Sequence, residues 1–283
     1  MATSPKRYEL LIKYFVDSNY ITKIRQDGKI NFLTDKTVAN FKRERDFLDT
    51  IKSKIKYFVG KFYPLLVNIF APVLPRIHWA TLEDYFKYLV RTESKNKEII
   101  IQIGSGNYRI NDRIINIDIF DFPEVDMIAD CTHLPIQGNC VDGVISSAVL
   151  EHVESPEIFL KEAQRVLKKG GFIITGVPFI QGVHASPSDY YRWTEAGLES
   201  LHKKFGFTKK KIIPYAGPMS GFLWILQEWL SIILSFNLNF LYYFWWFLLL
   251  FLLFPFKIFD ILFIYYNQAH KINSFNIYIG IKD

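Results

Sequence analysis

At 283 residues, half of them hydrophobic and 17% aromatic, the chain can bury one full α/β core and keep material for a second small element. Its formal charge of +6 attracts nucleic acid, anionic headgroups and anionic substrates through the same field, and so selects none of them. Two cysteines, Cys131 and Cys140, lack a CxxC pair or a neighbouring His cluster, which speaks against a disulfide framework and predicts no metal site; Lys6, Arg7 and Glu9 argue against a cleaved signal peptide.

Residues 1–76 read as a mostly helical extension, with a basic stretch from Asn40 to Lys61 and an apolar patch from Tyr63 to Leu74 that Pro75 closes. The patch falls short of the roughly 20 apolar residues that span a bilayer. A catalytic domain is predicted over 77–216. Glu98 to Ile103 is a β-branched run stopped by Gly104-Ser-Gly106, the pattern of a buried parallel strand ending in a tight loop. Three further strands end at Asp118, at Asp130 and at Ser146-Ser147. Between Gly106 and Asp118 there is no room for a full crossover helix, so a turn is predicted there. A helix follows from Pro156 to Leu167, with Ile158, Phe159, Ala163, Val166 and Leu167 on one face and Gly170-Gly171 as its C-terminal stop. Phe172 to Val177 is the fifth strand, Thr194 the N-cap of a helix through Lys204, and Lys210 to Pro214 the sixth strand. Alternating strands and helices imply an α/β, Rossmann-like doubly wound sheet.

In such sheets ligands bind beyond the carboxyl ends of the strands, where strand order reverses. Gly104 and Gly106 allow close backbone approach, and Asp118 is placed to accept two ribose hydroxyls, which suits a nucleoside. Five segments then stand in order: Ile99-Ile-Ile-Gln-Ile-Gly-Ser-Gly106, Asn116-Ile-Asp118, Ala129-Asp-Cys-Thr-His-Leu-Pro135, Val141-Asp-Gly-Val-Ile-Ser-Ser-Ala-Val-Leu-Glu-His-Val153 and Val166-Leu-Lys-Lys-Gly-Gly-Phe-Ile-Ile174. In these the chain resembles the class I S-adenosylmethionine-dependent methyltransferases of the type 11 branch. His184-Ala-Ser-Pro-Ser-Asp-Tyr-Tyr-Arg-Trp-Thr194 extends the likeness toward bacterial enzymes associated with cell-surface glycans. The resemblance implies seven strands with the last antiparallel. It also implies that Gly104, Ser105 and Gly106 hold the methionine end of S-adenosylmethionine, Asp118 and Ile119 the ribose, and Asp130 with Cys131 the adenine, with Ser146 and Ser147 beside the sulfonium.

Two positions depart from the family pattern: Gln102 stands for an acidic residue and Tyr108 for a third glycine. Arg109 or Arg113 is expected to replace the positive charge of the missing helix N-terminus. His184 sits in the loop beyond the fifth strand, where an acceptor would lie, and is the expected base toward a hydroxyl, with Asp189 as orienter or as the base itself. His152 reads as structural, and Glu151 as favouring a helix start. An inactive methyltransferase-like membrane scaffold is the rival reading. A nicotinamide-dependent oxidoreductase is the second; its GxGxxG pattern would need glycine at Arg109. No Asn/Asp-Pro-Pro-aromatic signature follows the fourth strand, so no nucleic acid partner is expected.

Residues 217–271 are predicted to be an apolar helical insertion, uncharged between Glu228 and Lys257, and 272–283 a final strand with period-two alternation from Ser274 to Lys282. Because both ends must reach one sheet, a helical hairpin lying in the cytoplasmic leaflet is favoured over two crossings, with a homodimer interface as the alternative. The expectation is a membrane-associated enzyme, its catalytic domain in the cytoplasm, O-methylating a lipid-linked or cell-surface glycan or another small acceptor.

Overall fold

The computed structural model describes residues 23–24, 29–33, 98–184 and 188–283. One mixed sheet of nine strands runs through them: β1 (Lys23–Ile24), β2 (Ile30–Asn31), β3 (Ile100–Ile103), β4 (Ile115–Asp118), β5 (Met127–Ile128), β6 (Val141–Ser147), β7 (Leu167–Pro178), β8 (Phe207–Ala216) and β9 (Phe275–Lys282), in spatial order β1-β2-β5-β4-β3-β6-β7-β9-β8. The expected seven strands occupy β3 to β9. The other two come from the extension, where the described residues are strand and not helix: β2 runs parallel to β5, with Ile30 opposite Met127, and β1 folds back on it. The stretches Asn40 to Lys61 and Tyr63 to Leu74 lie outside the described residues.

The interior strands β3, β4, β6, β7 and β9 are largely buried on both faces, so both are covered. Ile101 and Ile103 enter one core cluster with Ile117, Val144 and Ile173, while Ile100 enters the other with Ile145, Phe172 and Ile174. Helix α1 (Pro156–Val166) covers the first face with Phe159, Leu160, Ala163 and Val166. Ile158, expected on that face, is 42% exposed, and Leu160 takes its place. The Gly170-Gly171 pair does not stop this helix. Leu167 is already extended, and Gly170, at φ +76°, lies inside β7.

Helix α2 (Glu195–Lys204) begins as predicted, with Gly197 N donating to Thr194 Oγ1 at 3.1 Å. It buries His202, which stacks on Tyr278 with centroids 3.9 Å apart. The Leu198 carbonyl can only accept, so Nδ1 donates to it (2.8 Å) and Nε2 accepts from Thr175 Oγ1 (2.9 Å). Burial lowers the imidazole pKa to about 4. The unfolded chain then binds one more proton than the folded one between pH 4 and 6.5, so stability is full above 6.5 and falls as pH drops through that window, by roughly 3 kcal/mol. Denaturant titrations of wild type and His202→Gln should show their stability difference shrinking from pH 7 to pH 4; a constant difference would mean that His202 takes up its proton as readily in the fold as in the unfolded chain.

β9 lies antiparallel between β7 and β8, with Thr175 opposite Tyr278 and Ile213 opposite Ile277. The chain leaves β8 as helix α3 (Pro218–Leu234), turns at Phe236 and Asn237, both at positive φ, and returns as α4 (Asn239–Leu253) and further helical turns to Phe263. Ser274 N donates to Ala216 O at 2.9 Å, so both ends of this hairpin meet at one edge of the sheet. Glu228 is fully engaged inside it, accepting from Tyr242 OH (2.6 Å) and Trp246 Nε1 (3.0 Å). Those bonds offset the cost that an unpaired carboxylate would carry in apolar surroundings.

Candidate active site

Strand order reverses between β3 and β6, and three strand ends converge there. Gly104 (φ +68°) and Gly106 (φ +56°) turn the chain back after β3. Gly104 N donates to Ile117 O (2.8 Å), and Gly106 N to Asp118 Oδ2 (2.8 Å), so the carboxylate that ends β4 clamps the loop. A side chain at Gly104 would place its Cβ 2.1 Å from Val149 Cγ2, whereas a Cβ at Gly106 would meet nothing within 4 Å. The first glycine therefore serves packing, and the second borders open space.

Ser146 lies opposite Ile103 in the β3–β6 register, and Ser147 opposite Gly176 of β7. The hydroxyls of Ser105, Ser146 and Ser147 and the amide oxygen of Gln102 are buried without hydrogen-bond partners. Buried polar atoms are nearly always bonded, so four such groups at one switch point mark where a polar ligand sits. Asp118 is 7% exposed, and its Oδ1 accepts from Phe120 N (2.9 Å). Ile119 follows, half-buried. Asp130 uses Oδ1 to shape the turn after β5, accepting from Thr132 N and Thr132 Oγ1, and the neighbouring Cys131 packs at the core margin, where burial holds its thiol protonated.

Arg109 does not serve as the counter-charge. All five of its N–H donors are spent on Glu124, Asp126 and the carbonyls of Glu124 and Ile114, because the loop before β5 folds back over it.

On the acceptor side, residues 150–152 form one helical turn after β6. Glu151 is wholly buried, and neither of its carboxylate oxygens has a hydrogen-bond partner. His152 Nε2 and His184 Nε2 stand 3.8 and 3.7 Å from Glu151 Oε1, with the two rings edge to face. Asp189 is locked in a two-pronged pair with Arg192 and also accepts from His184 N (2.8 Å). Although burial opposes ionisation, the Arg192 and His184 contacts hold the Asp189 pKa at about 2. Asp189 therefore faces His184 as a carboxylate already paired with Arg192. Burial also opposes charging of His184, yet Glu151, the Gly182 carbonyl and Asp189 outweigh it and raise the imidazole pKa.

A family profile described as "Methyltransferase domain" matches residues 110–175. The matched segment contains β4 to β6, α1 and most of β7. No curated protein matches the chain. Among solved structures the chain is similar to Haemonchus contortus phosphoethanolamine N-methyltransferase 2 in complex with S-adenosyl-L-methionine (16% identity, TM-score 0.49, covering 84% of this chain and 60% of that one). It is similar also to Burkholderia thailandensis 1,6-didemethyltoxoflavin-N1-methyltransferase (11%, 0.49, 95% and 98%) and to a possible histamine N-methyltransferase from Thermotoga maritima (16%, 0.46, 81% and 100%). The chain thus spans less than two thirds of the Haemonchus enzyme's length.

S-adenosylmethionine fits the residues at this switch point. The buried carboxylate of Asp118, at the end of β4, suits a ribose diol, and the unpartnered Gln102 oxygen and serine hydroxyls suit an ammonium and a carboxylate. Two groups escape a reading of the sequence: Glu151 and His152, whose partner His184 arrives from a different loop. The available signal is an adjacent Glu-His pair in an otherwise apolar turn. Where no metal site was predicted, Glu151, His152 and His184 bring ligand atoms within 4.8 Å of one another.

Proposed function

We propose that the chain is an S-adenosylmethionine-dependent methyltransferase that methylates an oxygen of a lipid-linked or cell-surface glycan, or of another small acceptor held at the membrane. The observation that carries this reading is the convergence, at one switch point, of unpartnered buried polar groups behind a two-glycine loop and a Glu-His-His cluster beyond it. When bound, the cofactor supplies a methyl group on a cationic sulfonium. Gly104, Ser105, Gly106, Asp118 and Ile119 hold its methionine and ribose, Asp130 and Cys131 border the adenine, and Ser146 and Ser147 line the methyl side. In-line displacement needs chiefly positioning and exclusion of water, and an oxygen nucleophile also needs help in losing its proton. His184 acts at that hydroxyl, oriented by Asp189.

The hairpin supports a membrane-held acceptor. Trp224 of α3 packs on the His184 ring at 5.8 Å, so the apolar helices adjoin the acceptor loop. Phe236 and Phe240 at the hairpin tip are 80% and 69% exposed, and Asn239–Phe263 is long and apolar enough to cross a membrane by length and composition. The 17 residues of α3 span only about 26 Å at 1.5 Å each, short of a hydrocarbon core of about 30 Å. With both ends at one sheet edge, a hairpin dipping into the cytoplasmic leaflet is the arrangement favoured, with the catalytic domain in the cytoplasm. Membranes from expressing cells should retain the protein through a high-salt wash and release it to detergent. Release by salt alone would remove the hydrophobic anchor from the account.

A further inference from the structure

We infer that Glu151, His152 and His184 form a binding site for a divalent transition-metal ion of the zinc class. His152 Nδ1 lies 2.5 Å from Ser188 O, a carbonyl that only accepts, so that ring carries its proton on Nδ1 and its Nε2 is a lone pair. His184 Nδ1 lies 3.2 Å from both Gly182 O and the donor Arg192 Nη2, so its ring presents Nε2 either as a lone pair or as an N–H whose proton a metal ion displaces. Both Nε2 atoms face a buried carboxylate that receives no hydrogen bond.

The two carboxylate–imidazole spacings fit an ion between them, and all three ligand atoms lie within 4.8 Å of one another. At 3.7 and 3.8 Å from Oε1 the Nε2 atoms are beyond hydrogen-bond reach, and two ligands on one tetrahedral ion with bonds of about 2.1 Å stand about 3.4 Å apart. Two imidazoles with one carboxylate suit zinc and its neighbours, and they leave a coordination position open. The backbone carbonyls behind each Nδ1 are the outer contacts that orient metal-bound histidines. Binding of the ion does not depend on the function proposed above, but its role rests on that reading: an ion here would take the acceptor hydroxyl at its open position and lower its pKa. The O–H bond then breaks with the proton passing to water, and the oxygen's electron pair attacks the methyl carbon while the C–S pair returns to sulfur. His184 serves as a ligand in that step.

The test uses the full-length, tag-free protein in detergent, titrated with Co²⁺ and followed by visible absorption. The expected result is a four- or five-coordinate cobalt band that saturates at one equivalent, is displaced by Zn²⁺, and is lost in Glu151→Gln and His152→Ala. Absence of a band, or a band unchanged in both variants, overturns the site. Should the variants fail to fold, X-ray absorption of the zinc-loaded wild type decides: two imidazole nitrogens and a carboxylate oxygen uphold the site, and any other protein ligand set overturns it. Calorimetric titration with S-adenosylmethionine in the presence of chelator reports separately on the methyltransferase reading, so failure of one does not read as failure of the other.

Discussion

Replacing His184 by alanine will lower the rate of methyl transfer at least about 100-fold while leaving S-adenosylmethionine affinity within about twofold. The ring stands beyond β7, its Nε2 aimed at Glu151 and its backbone N–H clamped by Asp189, so its position is determined from two sides. Whether it takes the hydroxyl proton itself or holds an ion that acidifies the hydroxyl, its removal leaves the acceptor un-ionised near neutral pH, and proton handling of this kind contributes about 10²–10⁴-fold. The cofactor-side groups Ser105, Ser146 and Asp118 hydrogen-bond to other partners or to none, and not to His184, which is why affinity is spared. Single-turnover transfer with labelled cofactor measures the effect; a loss below about tenfold with binding intact would place acceptor activation elsewhere.

Asp118→Ala should weaken S-adenosylmethionine binding by about 2–3 kcal/mol, or roughly 30- to 150-fold. The carboxylate has two tasks that alanine cannot perform. It accepts from Gly106 N and Phe120 N, fixing the loop and the start of the next turn. It is also the acceptor proposed for the ribose hydroxyls, which alanine would leave stranded in a buried site. Asp118→Asn keeps one oxygen but turns a donor toward Gly106 N or the ribose, and should fall between wild type and alanine. Equilibrium dialysis of the three proteins gives the order directly. Equal affinities would detach Asp118 from the cofactor.

Much of the fold was legible because parallel strands leave a plain mark: Ile99 to Ile103 and Val144 to Ile145 are β-branched runs closed by glycine or serine, and Phe275 to Lys282 alternates with period two. Local signals failed where one pattern serves two structures. Gly170-Gly171 after a helix reads as a cap, yet Gly170 takes its positive φ inside a strand, since Leu167 already pairs with Val141. Ile158 and Leu160 are both apolar, and only packing against the sheet decides which is buried. The strand pairing of Ile30 with Met127 joins segments nearly a hundred residues apart, through two-residue strands too short to show any period. The site divided in the same way. Gly104, Gly106 and Asp118 follow one another along the chain and declare their chemistry. Arg109 appears available until the loop bearing Glu124 and Asp126 encloses it, and Glu151 gains meaning only when His184 is carried across from another loop.

The central claim is that the β3–β6 switch point of this chain holds S-adenosylmethionine. Isothermal titration of the full-length wild-type protein with S-adenosylmethionine tests it most directly. The expected result is one saturable site per chain, shared competitively with S-adenosylhomocysteine and indifferent to NAD; no heat with either adenosyl compound at millimolar concentration, from protein that is folded by circular dichroism, would contradict it.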